Sequence, residues 1–434
     1  MAPGTNKIVP MNPGKRRGLM AWAVYDWANS PFTTLIVTFI FPAYFAQAVV
    51  GSEVEGQALW GYANAFCGLA IAVMSPIVGA IADAGGRRKP WLLAFTVLCI
   101  AASALLWFVE PGRSFIVLAI ILSVVANIGF EFGTVFNNAM LPDLVPEDRV
   151  GRWSGWAWGL GYMGGLAALL LALAAFVGAG PHLIPLDRSH AEHIRIIGPF
   201  VAVWFALFAW PLFLWTPDRA ASNLGAIEMI KTGATQLAGA LRDVSTKTDT
   251  ILFLLAHMLY ADALVALFAF GGIFAAGTFG MSLAEVTVFG IVLNVTAGLG
   301  AFAFGWIDDW IGSRTTILVS LSGLIIMSVG AVFAQDRQWF WIAGSALGLF
   351  VGPVQAASRS FMARLAPKGE EAKYFGLFAL SGKATAFLGP ALVAITTDVS
   401  RSQRAGLASL LLLFVIGALV MLRVPEIQKS AMVR

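Results

Sequence analysis

Twelve long apolar runs divide the chain, at about residues 20–49, 58–82, 90–109, 114–140, 153–177, 199–216, 249–276, 285–307, 315–334, 339–363, 373–397 and 405–422. Short charged or Gly/Pro-rich breaks separate them. A bilayer-spanning helix needs roughly 20 predominantly apolar residues, and most of these runs reach that length. Runs this long and unbroken do not fit the alternating signal of ten-residue barrel strands, so helices are expected. The chain is 59% apolar and 12% charged, against roughly 45–50% and 25% in soluble domains, so a polytopic membrane protein is expected. A disordered chain, a disulfide scaffold and a nucleic-acid-binding domain are excluded.

The distribution of Lys and Arg sets the expected orientation. With both termini on one side, the segments on that side hold 20 of the 28 basic residues and the opposite segments hold six. Arg359 and Lys383 are the remaining two, inside runs. Cytoplasmic segments carry such an excess, so both termini are expected in the cytoplasm. The net charge of +4 therefore reports topology and not an anionic ligand. Cys67 and Cys99 fall inside apolar runs, where neither a disulfide nor a thiolate metal site is expected. The polar N-terminal tail and the length of the first run do not read as a cleavable signal peptide.

The longest basic-side break follows the sixth run and divides the chain six plus six. The expected parts are a tail at 1–18, a six-helix bundle at 19–216, a linker at 217–248, a second bundle at 249–423 and a tail at 424–434. In the linker Ile227, Ile230, Ala234, Leu237, Leu241 and Val244 recur at helical spacing. An amphipathic helix lying along the membrane surface is expected, with a solvated linker as the alternative. An internal repeat supports the division. Gly79-x-x-x-Asp83-x-x-Gly86-Arg87-Arg88 reappears as Gly305-x-x-x-Asp309-x-x-Gly312-Ser313-Arg314. Leu144-x-Pro146-x5-Arg152-Trp153-x-Gly155 reappears as Leu365-x-Pro367-x5-Lys373-Tyr374-x-Gly376. The fold class expected is thus all-α, with twelve transmembrane helices in two pseudo-symmetric six-helix bundles and a substrate site between them.

The segment from Gly79 to Arg88 resembles the signature loop of the major facilitator superfamily, although Ala84 stands where the family often has a basic residue. Tyr25-Asp26-Trp27-Ala28-Asn29-Ser30-Pro31-Phe32, Phe41-Pro42-Ala43-Tyr44-Phe45, Asn138-Ala-Met-Leu-Pro142-Asp143-Leu and Leu259-Tyr260-Ala261-Asp262 resemble the autophagy-related vacuolar effluxer branch. That resemblance implies the major facilitator fold, a cavity lined by spans one, four, seven and ten, and in eukaryotic members the export of amino acids. It fixes the fold better than the cargo.

Asp83 and Asp309 end helices at the basic side, each followed by Gly and a cation. They can accept from the start of a neighbouring helix, or pair with Arg87, Arg88 or Arg314. Contacts of that kind suit a gate; topology plus a tight turn is the alternative. A charge inside a span costs about 2.5–3.5 kcal/mol on insertion scales, so each is a functional candidate. Asp26, Glu131, Asp262 and Lys383 lie inside spans. Asp26, with Asn29 and Ser30, has the alternative of capping a helix broken before Pro31. Asp262 and Lys383 have the alternative of a static pair. Arg359 is expected to snorkel to the surface and pair with Asp309. Glu131 has no obvious partner, so it is the first candidate for proton coupling, followed by Asp26 and Asp262.

Asn29, Asn127, Thr134, Tyr260 and Gln355 complete the expected substrate-binding set; Asn127, Glu131 and Thr134 share a helix face. The glycines of span five, Gly155, Gly159, Gly161, Gly164 and Gly165, are read as a packing face and not a phosphate loop. His190-x-x-His193 in the opposite loop is read as solvated, so no metal and no cofactor is expected. With no nucleophile–base set and no nucleotide motif, the expected function is secondary active transport of an amino acid or related amine by a monomer. A bacterial inner membrane is expected. The alternatives are export of lipophilic compounds, or a sensor or lipid scramblase on the same scaffold.

Overall fold

The structure, a computed structural model, describes residues 13–177, 186–222, 224–225, 227–235, 239, 247–281 and 283–426. Among the described residues, twelve helices are long and apolar enough to cross a membrane. Spans 1 to 6 are Gly14–Val50, Tyr62–Gly85, Lys89–Phe108, Arg113–Leu144, Glu147–Val177 and Glu192–Trp215. Spans 7 to 12 are Thr248–Gly272, Val288–Ile311, Ser313–Val332, Arg337–Leu365, Glu371–Ser400 and Gln403–Leu422. Among the described residues there are no strands. In hydrocarbon each backbone polar group needs an internal partner, which a helix supplies along its whole length.

Spans 1–6 and 7–12 form two bundles that meet through span 2 against span 11 and span 5 against span 8. Small residues set both crossings. A Cβ on Gly155 would come within 2.3 Å of the Ala301 carbonyl, and one on Gly376 within 2.6 Å of the Ser75 carbonyl. These two glycines are repeat-equivalent, so the same close approach is built twice. Two further close contacts, Gly79 against Ala372 and Gly151 against Asp308, lie at the end bearing the basic loops, the basic end.

Span 1 shows how an interrupted helix is repaired. Pro31 has no N–H, so the Trp27 carbonyl one turn earlier loses its helical donor. The indole N–H of Trp204 donates to that carbonyl at 3.3 Å. Ser30 Oγ donates to the Asp26 carbonyl at 2.7 Å, and Thr34 Oγ1 to that of Ser30 at 3.0 Å. The helix continues past Pro31 into a π-helical stretch, Phe32–Phe39. The broken helix end required by the capping alternative for Asp26 is absent.

Span 11 is divided in the middle, into Glu371–Lys383 and Leu388–Ser400. Its first half carries most of the packing against the other bundle, while its second half packs within its own. Sequence periodicity does not show this division. The signal available was the flanking Ser381-Gly382 and Gly389-Pro390. In the linker, residues 227–235 are helical, with Gly233 against Ile81 and with Ile227 and Ile230 exposed. Leu237, Leu241 and Val244 lie outside the described residues.

Candidate functional site

Among the described residues, two ion pairs bridge the bundles away from the basic end. In the first, Lys383 Nζ lies 2.7 Å from Glu131 Oε1. Each residue is about 18–20 Å along its helix from the basic end, at 1.5 Å per residue. This corrects two expectations. Glu131 has a partner, and Lys383 pairs with it and not with Asp262. The physical reason is the division of span 11: its first half faces span 4 and ends at Lys383, beyond which the chain turns away. The pair is partly accessible, with side-chain exposures of 35% for Lys383 and 16% for Glu131. Cys67 lies beside it, and so does a cavity of about 10 Å³ lined by Asn64, Cys67, Ser123 and Asn127. That volume is room for about one water.

The second pair is Arg359 with Asp26, at 2.6 Å. The expected surface pairing of Arg359 with Asp309 is therefore wrong. Arg359 is 3% exposed and turns inward because a ready-made set of acceptors lies there. Its Nε donates to Ser154 Oγ at 2.9 Å, Nη2 to the Ser154 carbonyl at 2.5 Å and Nη1 to Asn138 Oδ1 at 3.3 Å. Its guanidinium lies 5.4 Å and 5.6 Å from the Trp22 and Trp158 rings. Asp26 also accepts from Asn137 Nδ2 at 3.2 Å. Spans 1, 4, 5 and 10 thus meet around one buried charge pair. Ser154 was not among the expected site residues; it sits in the glycine face of span 5, where packing was the only visible signal.

The other expected residues have less open surroundings. Tyr260 is buried, with its hydroxyl 2.6 Å from Ser358 Oγ, so it does not line an open wall. Asn29 is buried and Thr134 Oγ1 donates back to the Phe130 carbonyl. Gln355 Oε1 accepts a short hydrogen bond from Tyr162 across the bundle interface. Asp262 is buried in the second bundle. The donors beside it are the Leu388 and Gly389 N–H groups and the Thr385 hydroxyl, where the second half of span 11 begins.

At the basic end the two repeats form matching contacts. Asp83 on span 2 accepts from the backbone N–H groups of Ala372 and Lys373 at 3.2 Å and 2.8 Å, at the start of span 11. Asp309 on span 8 accepts from those of Gly151 and Arg152 at 2.7 Å and 3.0 Å, at the start of span 5. A carboxylate near a helix start is favoured by the free N–H groups and the helix dipole. The side-chain partners differ between repeats. Arg88 Nη2 reaches Asp83 at 3.2 Å and Glu371 at 2.6 Å, while Nη1 reaches Asp143 at 2.8 Å. Asp309 instead pairs with Arg364 at 3.1 Å. Arg314, expected as its partner, donates to the Leu422 carbonyl at 2.7 Å. Arg87 is exposed. Arg364, which also pairs with Asp308 at 2.6 Å, was missed because basic loop residues read as topology markers, and Glu371, Asp143 and Asp308 because acids outside the spans carried no signal.

Among the described residues no group of three or more His, Cys, Asp or Glu side chains is placed to hold a metal. Both cysteines are free and buried.

A family model described as "Vacuole effluxer Atg22 like" matches residues 46–432. An uncharacterized MFS-type transporter of Bacillus subtilis, YxiO, is 28% identical over 409 residues, 94% of each chain. Autophagy-related protein 22 of Coccidioides immitis is 24% identical over 497 residues, covering 97% of this chain and 80% of that protein. Among solved structures, the human organic anion transporter MFSD10 superposes with a TM-score of 0.71 at 13% identity, covering 94% of this chain and all of that one. A bacterial homologue of the iron transporter ferroportin, in an outward-facing state, gives 0.70 at 12% identity, covering 95% and 99%.

Proposed function

Since the chain belongs to the Atg22-like vacuole effluxer family of major facilitator transporters, we propose that it is a secondary active transporter of amino acids or related zwitterionic amines, coupled to protons and working by alternating access. The observation that carries this reading is the Glu131–Lys383 pair, made between the bundles and partly open. A zwitterion can replace that pair charge for charge, its ammonium on Glu131 and its carboxylate on Lys383. A neutral solute that separates the pair leaves both charges uncompensated and a singly charged one leaves one, which in low dielectric is unfavourable. Protonation of Glu131 also breaks the pair by discharging one partner. Two events, substrate arrival and proton arrival, then act on one contact that the bundles share. Asp26, Asn29, Asn127, Thr134, Tyr260, Asp262 and Gln355 remain the proposed surroundings of the path.

With the basic end proposed to lie in the cytoplasm from the charge bias, the contacts at that end make this a form closed to the cytoplasm. Asp83 and Asp309, with Arg88 and Arg364, are the proposed cytoplasmic gate. Asp83→Asn weakens a charge-assisted contact and is expected to raise the labelling rate of a cysteine at Thr134 by a membrane-impermeant thiol reagent from the cytoplasmic side. An unchanged rate in Asp83→Asn, Asp309→Asn and their double variant removes the gate. The linker is proposed to tether the bundles along the membrane surface, and the transporter to work as a monomer in a bacterial inner membrane.

The direct test uses purified protein in liposomes. Vesicles loaded with a mixture of unlabelled amino acids are expected to take up a labelled one by counterflow, and an imposed proton gradient is expected to drive net movement. Uptake of lipophilic amines alone, or movement of labelled lipid without dependence on pH, replaces this reading with the exporter or scramblase alternative.

A further inference from the structure

Both bundles end on the same short device, which the sequence repeats do not announce. After span 6 the chain runs Thr216-Pro217-Asp218-Arg219, and after span 12 it runs Val424-Pro425-Glu426-Ile427. Asp218 accepts from the Arg88 and Lys89 N–H groups at 3.0 Å and 3.1 Å, capping span 3. Glu426 accepts from the Arg314 and Thr315 N–H groups at 3.3 Å and 3.2 Å, capping span 9. Each carboxylate thus fastens the exit of its bundle onto the start of that bundle's third span. The cap is a shared structural feature.

The residue after the cap differs between the two exits. Arg219 stands in the first bundle's exit where the second has Ile427. Its Nη2 lies 2.7 Å from Asp143 Oδ1 in its own bundle and 2.7 Å from Glu371 Oε1 across the interface. Glu371 also lacks a counterpart, since the repeat places Val150 at its position. Glu371 is 1% exposed, and its other oxygen is held by Arg88. Burial opposes the charge on Arg219, but the two carboxylates more than offset this and raise its pKa above the usual value. Further contacts hold the strap down. Lys89 Nζ donates to the Thr216 carbonyl at 2.8 Å, and the Ser222 N–H to that of Gly85 at 3.0 Å. Gly86, at φ +79°, brings the strap to a distance where a Cβ would sit 2.4 Å from the Ala220 carbonyl.

We infer that Arg219, carried by a linker docked on the first bundle, is a gate residue that holds Glu371 of the second bundle whenever the basic end is closed. Opening that end breaks two cation contacts on Glu371, those of Arg88 and Arg219. The caps survive, since each lies within one bundle. The linker is then more than a tether: it gives the gate an asymmetry, because among the described residues only the first bundle's exit reaches across. This inference rests on the alternating-access reading of the closed end.

The test uses full-length protein in liposomes, with Cys67 and Cys99 replaced by Ala and a reporter cysteine at Thr134. A membrane-impermeant maleimide is applied from the basic end. Glu371→Gln is the positive control and should raise the labelling rate by about tenfold or more, the range of ordinary coupling energies. Arg219→Ala should raise it several-fold, Arg219→Lys should restore most of the closure, and Arg219→Ala should add little on top of Glu371→Gln. Glu426→Gln removes a cap but no contact between bundles, so its rate should stay at the starting value. If Glu371→Gln opens the end and Arg219→Ala does not, Arg88 alone holds Glu371 and the inference is overturned. It is overturned equally if Glu426→Gln opens the end as much as Arg219→Ala does. If Glu371→Gln and Asp83→Asn both leave the rate unchanged, the gate reading itself fails.

Discussion

Glu131→Gln is expected to abolish proton-driven accumulation of substrate while leaving downhill exchange partly intact. The substitution fixes the discharged form of the pair, so Lys383 loses its counter-charge in every state of the cycle. A proton gradient then has no carboxylate to act on at this contact. Substrate carboxylate can still occupy Lys383, and exchange can continue without net coupling. Lys383→Ala should be worse, because it leaves Glu131 without its cation and removes the carboxylate site as well. Removing one partner of a buried pair costs about 3–5 kcal/mol, and the partial exposure of this pair reduces that figure. Glu131→Gln/Lys383→Ala should regain much of the stability lost in Lys383→Ala but none of the transport. Melting temperature and gradient-driven uptake, measured on the four proteins, separate the two effects. Wild-type accumulation by Glu131→Gln would falsify the coupling role, and strictly additive stability losses would show that the two side chains do not meet in solution.

The number of spans was legible because bilayer thickness and hydrocarbon solvation act on each helix separately. Each apolar run reports its own span without reference to its neighbours. The repeat was legible for a related reason: the carboxylate, glycine and cation of each signature segment lie within ten residues. Pairing across the bundles was not legible. Glu131 and Lys383 are 252 positions apart, and Asp26 and Arg359 are 333 apart. No local pattern distinguishes Glu131 or Asp262 as the partner of Lys383; the turn after Lys383, which aims the side chain at span 4, decides it. Arg359 was misjudged for a different reason. Its position about 9 Å from the end of its helix permits snorkelling, but Asp26, Asn138 and two atoms of Ser154 offer it acceptors inside the protein that water would otherwise have to replace. Glu371 and Arg219 carried no signal until the two bundle exits were laid side by side.

The contrast between the two cations inside the spans yields the second large effect. Arg359→Ala is expected to destabilise the protein by up to about 3–5 kcal/mol, the cost of removing one partner of a largely buried pair, reduced by the 13% exposure of Asp26. Asp26 would keep the Asn137 amide at 3.2 Å, and Ser154 would lose the Arg359 donors while its hydroxyl still donates to the Ala356 carbonyl at 2.7 Å. Arg359→Lys should recover little of this. The guanidinium reaches Asp26, Asn138 and two atoms of Ser154 from one plane and sits between two indole rings, a geometry a single ammonium cannot reproduce. Asp26→Asn/Arg359→Ala should be more stable than Arg359→Ala alone, because the stranded charge is gone. Lys383 differs in kind: it has one carboxylate partner, a flexible stem and a side-chain exposure of 35% against 3% for Arg359. Lys383 is therefore suited to exchange its partner for a substrate, and Arg359 to hold the walls around that exchange. Thermal unfolding of the single and double variants in detergent measures the difference. A melting temperature for Arg359→Ala equal to that of the parent protein would mean that the Asp26 contact is not held in the ground state, and Arg359 would join Lys383 as a group free to meet the substrate.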